Sequence, residues 1–75
     1  MNKKRRTALE KIRSQIEELV SDLETVKEEE EAAMENMPEN LQESERYISM
    51  EEAVCDMEQA IDSLNEAMDL IECAC

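Results

Sequence analysis

Apolar residues in this chain recur in alternating steps of three and four. Leu9, Ile12, Ile16, Leu19, Leu23 and Val26 keep that spacing, and the frame continues through Glu30 and Ala33 to Met37. After an interruption it resumes as Tyr47, Met50, Val54, Met57, Ile61, Leu64, Met68, Ile71 and Cys75. An alternation sustained over many turns gathers the apolar side chains into one stripe along a helix, the seam of a coiled coil. The interruption is Asn36-Met37-Pro38-Glu39-Asn40. Pro38 would cost a helix interior about 3 kcal/mol, and it biases Met37 away from helical backbone angles. The pattern predicts a helix over 7–35, a loop over 36–43 and a helix over 44–74. Thr7, with Glu10 in the capping-box position, and Ser44 are the expected N-caps.

Two helices of this length, each about 45 Å long, joined by a short loop, fold back on one another. The expected fold class is all-α, an antiparallel two-helix hairpin of coiled-coil type. Folding back is expected to set Lys3–Arg6 beside Asp69 and Glu72 at the negative end of the second helix dipole. The second helix adds Ala53, Ala60, Ala67 and Ala74, one every seven residues and next to the seam. Its apolar face is therefore wider than a two-helix seam requires. A chain this short also buries little core alone. Both points lead to the expectation of a homodimer that closes into a four-helix bundle through the four alanines.

Composition removes most chemistry from consideration. The 75 residues include no Gly, His, Trp or Phe and only one Tyr. Sheet-forming turns, His-ligated zinc, Ser–His or Cys–His nucleophiles and phosphate-cradling glycine loops each lack an indispensable residue. Paired carboxylates would need a cleft to perturb them, which a hairpin does not supply. The expectation is a protein that is not an enzyme, with no cofactor and no metal site.

Charge narrows the choice of partner. The net charge of −13 divides into +5 over residues 1–13 and −18 over the remainder. Nucleic acid and anionic lipid are repelled by most of such a molecule, so neither direct nucleic-acid binding nor membrane binding is expected. The Lys3–Arg6 cluster reads as a solubilising start rather than a phosphate site. No stretch approaches 18 apolar residues and no secretory pattern is visible, so cytoplasmic residence is the default expectation.

Three features were weighed for chemistry of their own. Cys55, Cys73 and Cys75 form no disulfide framework, because about 27 Å of helix separates Cys55 from Cys73. The terminal Cys-Ala-Cys reads as small apolar residues at a helix end, ahead of a metal clip or a lipidated tail. Glu28–Glu31 is the densest acidic run, but a helix points its four side chains round the cylinder instead of at one calcium ion. Met50, Met57 and Met68 are expected in the core. Met34 and Met37 either staple the hairpin tip or form a partner-binding patch with Leu41.

The stretch Glu29-Glu30-Glu31, the loop Asn36-Met37-Pro38-Glu39-Asn40-Leu41-Gln42-Glu43-Ser44-Glu45-Arg46-Tyr47 and the following Met50-Glu51-Glu52-Ala53 resemble one particular group of proteins. These are small acidic helical proteins encoded in Firmicutes genomes and in their phages and mobile elements, with no activity attached to them. The resemblance implies a prokaryotic, phage-type setting and supplies no catalytic residue.

The functional expectation is a protein-binding module. Acids three and four residues apart on a helix lie about 5–6 Å from each other, a spacing similar to that of successive phosphates. Glu17, Glu18, Asp22, Glu24, Glu28, Glu31, Asp56, Glu58, Asp62, Glu66 and Asp69 are the candidate surface. It would mimic nucleic acid and block a basic surface of a host nucleic-acid-binding or defence protein, as a phage-type inhibitor does. The alternative is a self-assembling bundle that binds its partner through Met37, Pro38 and Leu41 in the loop, with acidity serving solubility alone.

Overall fold

The computed structural model describes residues 1–75 and consists of helix and turn without a strand. Helix α1 spans Lys3–Glu35 and helix α2 spans Glu45–Ala74, joined through a short 3-10 turn at Glu39–Leu41. The helices pack side by side in antiparallel fashion, giving a rod of 59 × 15 × 11 Å. The hairpin expected from the periodicity is the fold observed.

The loop breaks the chain where Pro38 requires it. Its φ of −57° and ψ of 145° are extended, and the chain re-enters helical geometry only at Glu39. Ser44 then caps α2, its hydroxyl oxygen accepting from the Tyr47 N–H at 3.3 Å while the hydroxyl donates to the Leu41 carbonyl at 2.6 Å. Ser44→Ala removes both bonds. Its expected cost is about 1 kcal/mol of unfolding free energy, measurable as a shifted urea midpoint with unchanged slope.

At the other end the structure corrects two expectations. Helix α1 begins at Lys3, not Thr7, because Asn2 takes the cap and its side-chain oxygen accepts from the Arg5 N–H at 2.9 Å. Lys3–Arg6 are good helix formers and carry the helix out past Thr7. Nor does that basic turn lie beside Asp69 and Glu72. Glu72 pairs instead with Arg13 at 3.4 Å, and Lys27 pairs with Glu58 at 3.7 Å. Counting back along that register, Glu10 is level with the last residue, Cys75. The first two turns of α1 therefore overhang α2, with Lys3, Lys4, Arg5 and Arg6 all exposed.

The core is slender. Only Val20, Ile61 and Met68 are buried, with Ile16, Leu23 and Leu64 packed against them. Met50, Met57, Met34 and Met37 are half-buried along the seam and at the tip. Helix α2 presents the expected stripe, but α1 is rotated about its axis relative to the expected one. Leu9, Ile16 and Leu23 stay on the seam, whereas Ile12, Leu19 and Val26 are 44%, 59% and 51% exposed. Arg13, Val20 and Lys27, one residue further on, take their places. The aliphatic stems of Arg13 and Lys27 can lie along apolar surface while their charged ends reach the rim, and that makes the rotation feasible. The face expected to close the hairpin is thus left outside it.

Candidate functional site

The rotation of α1 gives the rod two unlike sides. Helical periodicity fixes which residues share each side, and cross-helix contacts confirm the alignment.

One side is acidic. From α1 it carries Glu10, Glu17, Glu24, Glu28 and Glu31, and from α2 Glu51, Glu58, Asp62, Asp69 and Glu72. Two shallow hollows between the helices show the grouping directly. The first is lined by Glu24, Lys27, Glu28, Glu58, Ile61 and Asp62. The second, near the tip, includes Glu31, Met34, Glu35, Tyr47, Glu51 and Val54.

Two cations are set into this side, two heptads apart. Arg13 reaches Glu17 at 3.9 Å within α1 and Glu72 at 3.4 Å across the seam. Lys27 repeats the arrangement with Glu31 at 3.5 Å and Glu58 at 3.7 Å. Val20 fills the position between them and is buried. The Arg13 Nε is buried without a hydrogen-bond partner, because the side chain lies flat against the seam before its end turns outward. These clamps fix register more than they stabilise, since exposed ion pairs are worth about 0–1 kcal/mol. Lys27→Met should accordingly change the unfolding free energy by less than about 1 kcal/mol, as read from urea titrations at low and high salt. It should also make the acidic side more negative.

The other side is apolar. Ile12, Leu19, Val26 and Ala33 from α1 run parallel to Ala74, Ala67, Ala60 and Ala53 from α2, nearly level residue by residue. Ala60 and Ala74 are exposed, and Ala53 and Ala67 are half-buried at its inner edge. Leu70, 64% exposed, extends the patch between Ala67 and Ala74. Asp22, Glu29, Glu30 and Asp56 stand along its rim, Glu29 and Glu30 sharing a shallow hollow with Val26.

The structure therefore sorts the acids read from the sequence into three groups. Glu17, Glu24, Glu28, Glu31, Glu58, Asp62 and Asp69 share the acidic side. Glu18 and Glu66 point away from the seam, on the backs of their helices, and Asp22 and Asp56 edge the apolar side. Sequence reasoning missed Glu10, Glu51 and Glu72. Their signal was their position relative to the seam, which became visible only once the rotation of α1 was fixed. At the loop, Leu41 is 45% exposed, whereas Met37 is half-buried and its carbonyl accepts from the Gln42 side-chain amide at 3.3 Å. Cys55, Cys73 and Cys75 are unbridged and exposed. No helix is long and apolar enough to cross a membrane.

No family model matches this chain, and neither a curated protein nor a solved structure matches it.

Proposed function

We propose that this chain is a non-enzymatic binding protein of the cytosol that acts as a homodimer. In this reading its acidic side occupies the basic surface of a nucleic-acid-binding protein, in a phage-type setting a host defence nuclease. One observation carries the reading: ten carboxylates, five from each helix, line one side of the rod. Glu24, Glu28 and Glu31 follow steps of four and three along α1, and Glu58–Asp62 and Asp69–Glu72 do so along α2. Such steps place charges about 5–6 Å apart, in two rows that a groove built for phosphates would accept.

The test is capture of partners from the native host by the immobilised protein at low and high salt, followed by elution with duplex DNA. Charge mimicry predicts nucleic-acid-binding proteins that duplex DNA displaces and that salt releases steeply. A second reading is favoured by the exposure of Leu41: a bundle that holds its partner through the Pro38 loop. It predicts capture that ignores salt and DNA and disappears on Leu41→Ser.

A further inference from the structure

The homodimer of the preceding reading is taken here as its basis and given a geometry. We propose that the second copy covers the Ile12–Leu19–Val26 side end for end, about a two-fold axis through Leu19. Each α1 then lies antiparallel on the partner's α1, and residues 60–74 of each α2 lie on the same stretch of the partner's α2.

The hairpin alone leaves apolar side chains uncovered. Fully burying a Leu, Ile or Val side chain stabilises by about 1.5–3 kcal/mol. A hairpin folding for itself alone would turn Ile12, Leu19 and Val26 inward, as their heptad spacing invites. In this structure they face outward, and Arg13 and Lys27 lie over the seam in their stead. That rotation exposes a continuous apolar side on a chain with only three buried residues. An apolar cover of matching length completes the core.

The charge at the two ends of the rod selects the occupant. The overhang of α1 carries Lys3, Lys4, Arg5 and Arg6 beyond the end of α2. The opposite end of the rod holds Glu28–Glu31, Glu35, Glu39, Glu43 and Glu45. A rod with one basic end and one strongly acidic end is complementary to a reversed copy of itself. Helix α1 spans Lys3–Glu35, so Leu19 is its midpoint. A two-fold axis there overlays the two α1 helices along their whole length and sets Arg5 over the partner's Ala33. Close by is the hollow lined by Val26, Glu29 and Glu30, whose acids suit a guanidinium. On α2 the same axis sets Ala67 against the partner's Ala67 and Ala60 against the partner's Ala74, small residues that allow close approach.

The same charges disfavour the other two-fold arrangement. Stacking the hairpins with like ends together would place both basic overhangs side by side and both acidic tips side by side. Like charges brought together cost free energy in either place. Only the reversed copy joins apolar cover to opposite charge.

Two measurements test this separately. Sedimentation equilibrium tests the dimer itself: wild type is expected to be dimeric at about 100 μM, and Leu19→Glu to weaken the dimer by at least about 100-fold with its helix content retained. A monomeric wild type overturns the proposal and, with it, the homodimer. Air oxidation of single-thiol variants, with Cys55, Cys73 and Cys75 replaced by Ser, tests the orientation. Leu19→Cys is expected to form a covalent dimer, because only an axis through residue 19 brings two copies of that position together. If Leu19→Cys does not cross-link with itself but does cross-link with an Ala67→Cys chain, the like-ended dimer is correct and the end-for-end geometry is overturned.

Discussion

Ile61→Ala is expected to lower the unfolding free energy by about 2–5 kcal/mol, the largest effect of any single truncation in this chain. Ile61 is one of three buried side chains, clustered with Val20 and Met68, and Leu23 and Leu64 pack against the cluster. A core this small has nothing with which to fill the vacated space. A small domain has only about 5–15 kcal/mol of stability in all, so the variant should be partly unfolded before denaturant is added. The loss should be the same at every protein concentration, because Ile61 faces the seam within one hairpin. Leu19→Ala provides the contrast. At 59% exposure, Leu19 contributes little to its own hairpin. Its truncation should leave the midpoint of the dilute protein nearly unchanged and depress that of the concentrated protein. Thermal or urea melts of both variants across a range of concentrations would separate the two contributions. A large loss for Leu19→Ala at high dilution would mean that Leu19 packs inside the hairpin.

The second large effect is expected at the acidic side. Replacing Glu10, Glu24, Glu28, Glu51, Asp62 and Asp69, the acids of that side outside the Arg13 and Lys27 clamps, by their amides removes six charges without removing hydrogen-bonding capacity. At about 0.5 kcal/mol for each exposed pair made with a partner, the combined loss is about 3 kcal/mol, or roughly a hundredfold in affinity. The salt dependence of binding should flatten in parallel, which a loss of folding would not produce. Amide replacement of Glu18 and Glu66, on the backs of the helices, should leave binding within about twofold. Equal losses from the two sets would show that net charge, and not the side, is recognised. Titrating each variant against the captured partner at several salt concentrations measures both quantities.

Most of the fold was legible in the sequence because the strongest signals were local. Pro38 and Ser44 marked the loop and the start of α2, and the three–four spacing marked both helices. The rotation of α1 was not legible, and the reason lies in its residues. Leu19 and Val20 are adjacent apolar residues, either of which could face the seam, so spacing alone favours the frame with more hydrophobes. That frame takes Ile12, Leu19 and Val26 inward. The observed frame takes Val20, with the stems of Arg13 and Lys27, and depends on Glu72 and Glu58 lying across the seam. Pairing between residues 59 and 31 positions apart leaves no mark on periodicity. The same omission scattered the candidate acids: their residue types were legible, but their division into a side, a rim and two backs depends on that rotation. The start of α1 was missed for a smaller reason. Asn2 and Thr7 are both competent caps, and the intervening Lys and Arg residues propagate a helix from whichever begins it.

The position of the slender core along the rod also governs how the hairpin assembles. Val20, Ile61 and Met68 lie about the middle of the rod, well away from the tip. The turn around Pro38 brings the helices together early but offers only half-buried Met34, Met37 and Tyr47 to reward the encounter. The first fully buried contact, between Val20 and Ile61, closes a loop of roughly forty residues, about 1.2 kcal/mol dearer in chain entropy than one a quarter as long. Zipping outward from the turn therefore gains no fully buried contact until the middle of the rod is reached, and this non-local closure slows folding. The loop is then a local, low-stability element attached to a more protected middle.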